Sequence, residues 1–514
     1  MTIELASSCP ADTAARPDHP LIHRAIFGHA ETSPTAVALR FRNQAISYAQ
    51  LAATVDRYAA DLQTLGIGPG VIVPVCLPRS PQLVGVLLAI LRCGAAYAAF
   101  DPRWPDERHQ SLVARLAPTV YVTDNGAGMR AVPGVTVWDP AATGAVSAVF
   151  EPPTGTSPAD PACVFFTSGT TGAPKGVVST HQATTRLFGT DRLPGFRPGA
   201  VVPQSAPAPW DAFNLELWGT LVTGGTSVIV EDDYLLPGTL RDLVRGDGAD
   251  CVFLTASLFN LFIDMDIDCF TGVRVLYTGG ERLSVAHVRR FLDQHPDIQL
   301  FNAYGPVESC IFATAHQIRV ADCELSDGIP IGVAVPDTQV FVLDGEVLAN
   351  EGEICVGGPG LAIGYLGDPT QTAAKFVTVP LHGEPTRLYR TGDLGWFDDG
   401  GVLRFRGRAD RQVKVRGYRI EPAEIETVVQ RLDDIARAVV VPVPGVTTAF
   451  EHLALFYTAA GADQRSGEDP CGLTSRLYDL LPEYLVPDLV RHVDALPFTE
   501  NGKLDTAALL ALLA

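Results

Sequence analysis

Paired cysteines are missing from this chain. Its ten cysteines stand singly (Cys9, Cys76, Cys93, Cys163, Cys251, Cys269, Cys310, Cys323, Cys355 and Cys471), with no C-x-x-C pair and no histidine at zinc spacing. That excludes a disulfide scaffold and an ordinary zinc site, and leaves most of them as buried thiols. Also absent is any apolar run of about 18 residues, the minimum for a membrane-spanning helix. The opening MTIELASSCPADTAARPDHP has no basic stretch ahead of an apolar core, so no secretory signal is expected and a cytoplasmic location is. Basic residues are scarce: 38 Lys and Arg stand against 58 Asp and Glu, a formal charge of −20. A nucleic-acid polyanion is therefore not expected as the main partner.

What is present is a globular balance, 47% hydrophobic and 19% charged over 514 residues, long enough for two or more domains. Residues 45–65 carry apolar positions at helical spacing, and GIGPG then precedes the strand-like VIVPVCL. SPQLVGVLLAILRCGAAY predicts a second helix with AYAAFD as its strand, and TSVIVE, DCVFLT and VRVLYTGG read as further strands. Alternating helix and strand implies an α/β fold whose mostly parallel sheets are covered on both faces. From about residue 337 the pattern changes to short strands such as TQVFVLD, GEICVGG and VLRFRG, which suit an antiparallel, barrel-like unit. After GRAD, at 407–410, the chain carries its own helix (EPAEIETVVQRL) and strands (ARAVVVPV, LALFYT). That predicts a separate small domain, with 459–472 its most flexible stretch.

Function is expected directly after the strand CVFF. In FTSGTTGAPKGV, at 166–177, the glycines let backbone amides turn toward an anion. Hydroxyls add donors and Lys175 adds charge. The spacing is not G-x-x-x-x-G-K-S/T, so a P-loop NTPase does not follow.

Further segments accompany this loop in a fixed order: ISYAQL, LRCGAAYAAFDPRWP, NAYGPVES, GEICVGGPGLAIGY, YRTGD, GRADRQVKVRGYRIEPAEIE, LPEYLVP and NGKLD. Together they resemble the adenylate-forming superfamily, and within it the amino-acid adenylation domains of nonribosomal peptide synthetases. One departure is Ile363 in GLAIGY, where the family usually shows arginine. The resemblance implies a large N-terminal domain, 1–409, made of two mostly parallel αβ-layered subdomains and a β-barrel-like one. It also implies a small mobile α+β domain, 410–514.

The reaction it implies joins a carboxylate to the α-phosphate of ATP, so the site must hold two anions and neutralise charge as it develops. By resemblance Thr167, Ser168, Gly169, Thr170, Thr171 and Lys175 hold the β- and γ-phosphates, and Glu308 binds Mg²⁺. Tyr304 stacks on adenine with Gly280, Glu281, Asn302 and Ala303 near it, and Asp393 takes the ribose hydroxyls beside Arg408. Lys503 bridges the substrate carboxylate and the α-phosphate. Asp410 is the hinge about which the small domain turns to present Lys414 and Gly417 for thiol attack.

PWDAFNLELWGTL resembles the segment opening the amino-acid pocket, with Asp211 as partner of the substrate ammonium. The pocket positions are then Asp211, Ala212, Leu215, Phe253, Tyr277, Gly279, Ala303, Ile311 and Phe312, with Lys503. This lining is apolar between its charged ends and implies a mid-sized aliphatic side chain, isoleucine- or valine-like. Gly279 and Ala303 are read as leaving room, and the Tyr277 hydroxyl either faces away or meets a polar substituent. Neither a carrier motif nor a condensation motif occurs, so a free-standing enzyme is expected. It would load the phosphopantetheine arm of a separate carrier protein in antibiotic-type biosynthesis, with or without a small MbtH-like activating protein. Two rivals stand beside this reading: an acyl-CoA synthetase, against which Asp211 argues, and a catalytically silent homologue, against which Lys175, Glu308, Asp393 and Lys503 argue.

Overall fold

The computed structural model describes residues 19–124, 134–142, 149–169, 174–445, 450–460, 467–468, 472–497 and 504–513. A large N-terminal domain carries four sheets, and a small C-terminal domain carries a fifth. Of these, a seven-stranded sheet is mixed but mainly parallel, and a five-stranded one has two parallel and two antiparallel pairings. The seven-stranded sheet runs Gly364–Tyr365, Lys175–Thr180, Pro161–Thr167, Ala96–Ala99, Ile72–Cys76, Val120–Thr123, Thr136–Trp138. In the five-stranded sheet, Cys251–Thr255, Val275–Gly279 and Gln299–Tyr304 lie parallel, with Thr255, Gly279 and Ala303 in register. The ends of these three strands open on one crevice, the usual ligand position of such sheets.

The apolar run 81–92 forms the helix Pro81–Arg92 because Ser80 caps it and Pro81 occupies its first turn. Residues Leu83 through Leu91 are all buried, so this helix is sandwiched rather than amphipathic. The expected helix at 45–65 begins later, at Tyr48. Gln44–Ser47 instead pairs antiparallel with Val37–Phe41. Ser47 ends that strand by accepting from the Gln50 amide while the Gln50 side chain accepts from the Ser47 amide, a capping box that overrides the local periodicity.

The strands expected after 337 form a six-stranded sheet that is antiparallel throughout. The small domain has a core of its own, including Ile420, Ile425, Val429, Leu455, Tyr457 and Leu477. Its strand Phe450–Ala459 pairs with Ile435–Pro444 on one side and Leu489–His492 on the other. All eight described cysteines are free, and all but Cys323 are buried.

Gly279 shows how tightly the crevice strands approach, for a Cβ built there would stand 2.0 Å from the Ala303 carbonyl oxygen. Gly279→Ala is expected to lower stability by about 1–3 kcal/mol through backbone displacement. Denaturant unfolding checks it; an unchanged midpoint would mean that the strands separate without cost.

Candidate active site

The loop after Pro161–Thr167 returns into Lys175–Thr180 as an antiparallel hairpin, with Thr167 directly opposite Lys175. It therefore joins strand to strand, unlike a P-loop, which enters a helix. Gly169 donates its amide to Glu424 Oε2 at 3.3 Å, and Ser168 Oγ donates to the Arg419 carbonyl at 2.7 Å. An anionic oxygen is thus accepted at the start of the loop, supplied here by the small domain. Thr170 and Thr171 lie outside the described residues, as does Lys503.

Lys175 is buried, and burial followed by the nearby Arg419 charge pulls its pKa down. Its ammonium lies 5.7 Å from the Tyr365 ring centre. Tyr365 donates its hydroxyl to Glu308 Oε1 at 2.9 Å, and Arg419 donates to Glu308 Oε2 at 2.8 Å. Burial pushes the Glu308 carboxyl up, but Arg419 and the other donors outweigh it and hold Glu308 below its ordinary value. Among the described residues no three His, Cys, Asp or Glu side chains gather as a metal cage. A divalent ion at Glu308 would take its other ligands from phosphate oxygens and water, which suits Mg²⁺.

Asp393 and Tyr304 meet at the opposite end of the crevice. Tyr304 donates its hydroxyl to Asp393 Oδ2 at 2.6 Å, and Arg408 donates to Asp393 Oδ1 at 2.6 Å. Arg408 also donates to both Asp410 oxygens, at 2.7 and 2.9 Å. Arg408 therefore ties the last strand of the large domain to the residue expected as hinge. The Lys414 ammonium stands 5.8 Å from the Tyr304 ring centre, and burial pulls its pKa down. Gly280 has φ +84 and open space where a Cβ would sit, so the backbone there leaves the crevice clear. Glu281 turns to the small domain, accepting from the Gly417 amide at 2.7 Å and from the Ser257 hydroxyl. Asn302 donates its amide to the Pro330 carbonyl at 2.7 Å.

Between these groups lies a cavity of about 120 Å³ bordered by Asp211, Ala212, Phe253, Gly280, Ala303, Ile311, Phe312, Asp393, Arg408, Lys414, Gly417 and Arg419. Trp210, Thr255, Gly305, Pro306, Val307, Thr391 and Gln412 complete the nineteen lining residues. Ten of the nineteen were expected from the sequence in a site role, and Gly417 as the face presented to the thiol, whereas the seven just named were not. Nor was Arg419, although it stands within the motif GYRIEPAEIE. Asp211 is partly buried and accepts from the Ile311 amide at 2.8 Å, and desolvation raises its pKa to about 6.

Three expected pocket residues do not border the cavity. Leu215 and Tyr277 are fully buried behind it, in one cluster with Ala303, Ile311 and Phe312. The Tyr277 hydroxyl donates to the Pro194 carbonyl at 2.8 Å, and its ring stacks on Phe301 and Phe312. It faces away from the cavity. Gly279 is required by the approach of Ala303 and leaves no room for a ligand. Ile363 is half exposed and outside the cavity lining.

A second void of about 530 Å³ adjoins the first, sharing Trp210, Ala212, Phe253 and Thr255, and is closed on its other side by Val415, Tyr418 and Tyr484 of the small domain. Trp210 packs edge-on to Tyr418 at 4.2 Å, and Tyr418 stacks on Tyr484 at 4.3 Å. Across the same interface Arg108 donates to Glu424 at 2.9 Å, both side chains being buried. Sequence reading missed this contact because its partners are 316 residues apart.

Residues 26–366 match the family described as AMP-binding enzyme, and 424–503 match the AMP-binding enzyme C-terminal domain. Tyrocidine synthase 3 of Brevibacillus parabrevis is 34% identical over 95% of this chain, and surfactin synthase subunit 3 of Bacillus subtilis (strain 168) is 33% identical over 92%. The chain spans 8% and 37% of those two relatives. The solved structure of holo-PA1221, a nonribosomal peptide synthetase protein containing adenylation and PCP domains, is 36% identical with a TM-score of 0.86. That likeness covers 96% of this chain and 84% of that one. The fused adenylation–PCP protein NpsA-ThdA of Klebsiella oxytoca shares the fold, with a TM-score of 0.85 over 96% of this chain and all of its own at 22% identity. The chain belongs to the AMP-binding enzyme family, as an adenylate-forming ligase of the nonribosomal peptide synthetase type.

Proposed function

We propose that this enzyme converts a branched aliphatic amino acid and ATP into aminoacyl-AMP and pyrophosphate, then passes the aminoacyl group to the phosphopantetheine thiol of a carrier protein or carrier domain. The carrying observation is the small cavity itself: a partly buried carboxylate, Asp211, shares it with apolar walls and with Asp393, Arg408 and Lys414, behind which Tyr304 donates to Asp393. Asp211 would pair with the substrate ammonium. Ala212, Phe253, Ala303, Ile311 and Phe312 would enclose the side chain. A polar substituent there would lose its water without a partner, at about 1–3 kcal/mol per hydrogen bond. The outward-facing Tyr277 hydroxyl removes the one polar group that the sequence had left near this wall.

In adenylation the substrate carboxylate oxygen attacks the α-phosphate and the bond to pyrophosphate breaks. Thr167 through Thr171 and Lys175 would receive the β- and γ-phosphates, Asp393 the ribose hydroxyls, and Tyr304 the adenine face, with Gly280, Glu281 and Asn302 at its edge. Mg²⁺, held by Glu308, would neutralise charge on the phosphates. Lys503 would bridge the carboxylate and the α-phosphate.

Glu308 supports a second arrangement. Its carboxylate accepts from Arg419 at Oε2 and from Tyr365 at Oε1, so a divalent ion would compete with these donors for its oxygens. The arrangement with Lys414, Gly417 and Arg419 at the crevice thus suits the step after pyrophosphate departure. The units 1–409 and 410–514 would turn about Asp410 between the two steps. The 530 Å³ void would admit the carrier's thiol arm, a reading favoured by the PCP domain of PA1221. An MbtH-like activator would act on solubility or turnover and is tested by addition.

ATP–pyrophosphate exchange across aliphatic, polar, aryl and fatty acids tests the function: selective exchange with isoleucine, valine or a close relative is expected. Preference for a polar acid would overturn the substrate class, and Lys503→Ala is expected to abolish exchange in a folded protein. Because Asp211 must be ionised to hold an ammonium, its pKa of about 6 predicts full kcat/KM for the amino acid above that pH. The value should fall as pH drops through about 6; a flat profile from pH 5 to 8 would remove Asp211 from ammonium binding. Arg419→Ala is expected to lower carrier loading relative to exchange by about tenfold, since it breaks a buried pair of the loading arrangement; an unchanged ratio of the two rates would count against that role.

A further inference from the structure

Arg186 follows the short helix His181–Thr185 and is fully buried. Among the described residues it forms no ion pair. Its guanidinium donates to the carbonyls of Ala183, Ser309 at 3.0 Å, Cys310 at 3.3 Å and Phe312 at 2.6 Å, and to Thr338 Oγ1 at 3.2 Å. A charge removed from water and matched by carbonyl and hydroxyl dipoles rather than by a paired carboxylate is costly to bury. Burial accordingly pulls its pKa down to about 10, which leaves it protonated at neutral pH. Gly360 makes room for it: a Cβ there would lie 2.4 Å from the guanidinium.

Three of those carbonyls belong to one turn, 309–312, and that turn is strained. Cys310 has φ +50 and Ile311 has φ +71, left-handed values that a β-branched residue rarely adopts and that cost about 1–3 kcal/mol each. Such a turn persists only where its surroundings over-determine it. Arg186 grips it through the carbonyls, and Asp211 grips it from the other side through the Ile311 amide at 2.8 Å. Ile311 and Phe312 then face the cavity as two of its walls.

We infer that Arg186 is a positioning residue for side-chain selection: by clamping the 309–312 turn it sets where Ile311 and Phe312 stand, and so the size of acyl side chain admitted. The inference rests on the reading of the small cavity as the amino-acid pocket. The donor geometry is specific to arginine, whose planar fork reaches carbonyls in several directions at once, whereas a lysine ammonium is a single point with three donors. Arg186 borders neither of the two cavities. Its loss should loosen the walls while leaving the Tyr304, Asp393 and Lys175 groups in place.

The test compares the full-length wild type with Arg186→Lys and with Thr338→Val, which removes one anchor of the same guanidinium while keeping both shape and charge. Exchange is measured with alanine, valine, isoleucine, leucine, phenylalanine and serine. For Arg186→Lys the amino-acid KM should rise about tenfold with the ATP KM within about twofold. The preference between substrates one methylene apart, about 10–200-fold in a well-formed pocket, should collapse toward one. Thr338→Val should move the same quantities in the same direction by a smaller factor, and it decides the question if Arg186→Lys does not fold. Unchanged amino-acid KM and rank order in both variants would overturn the inference while leaving the amino-acid reading intact. So would a parallel rise in both KM values, which a general structural role produces. Relaxed selectivity in the variants of a wild type that prefers serine would uphold the clamp and overturn only the aliphatic reading. A wild type without any amino-acid preference would overturn both.

Discussion

The ion pair between Glu308 and Arg419 joins the two domains at the centre of the crevice, and most of the surrounding polar network is arranged around it. Glu308 is 0% exposed, so without a cation it would be held neutral or would exclude the neighbouring domain. Arg419 supplies that cation from the small domain, and Tyr365 completes the carboxylate's shell. The same docking carries Glu424 onto the Gly169 amide and Arg108, and Gly417 onto Glu281. Each contact pairs a buried charge with a donor or counter-ion from the opposite domain. Such pairs add little net stability over apolar packing, but they are costly to break singly, so they fix one relative placement of the domains.

That placement explains an otherwise odd distribution of charge. The chain carries a formal −20, yet Lys175, Arg408, Lys414 and Arg419 converge on one crevice. Two of these come from each side of Asp410. Burial pulls the pKa of both lysines down, the direction expected where an anion brought close would be rewarded. An acidic exterior keeps other polyanions away, and a cationic interior offers a small anion its only strong partners.

Much of this was readable from order alone, because the expected motifs sit on strand ends that the hydrophobic pattern already located. CVFFT and VLYTG are strands of this kind, leading to the crevice, whereas the strand that ends in the NAY of NAYGPVES was expected only as a motif. What escaped were the contacts that sequence separation hides. Arg186 meets Phe312 across 126 positions, and Arg419 meets Glu308 across 111. Neither residue stands out in its own neighbourhood. The errors have the same origin: Gly279 was read as space for a ligand, whereas the neighbouring strand's carbonyl takes that space, and register between parallel strands is not visible in a local pattern. Tyr277 was undecided because the Pro194 carbonyl that receives its hydroxyl lies 83 residues away. At residue 45 a strand won over a helical pattern because pairing with Val37–Phe41 and the Ser47 cap are tertiary and positional effects, not periodic ones.

The crevice also constrains how two chemical steps share one set of groups. The Gly169 amide and Glu308 are engaged by Glu424 and Arg419 while the small domain is docked as seen here. Those are two of the positions that the phosphates and the metal would need on the proposed reading, so docking in this manner and holding a nucleotide tail exclude each other. Departure of pyrophosphate with its metal would uncover an anion-seeking amide and an unpaired buried carboxylate, and the small domain carries a carboxylate and a guanidinium spaced to satisfy both.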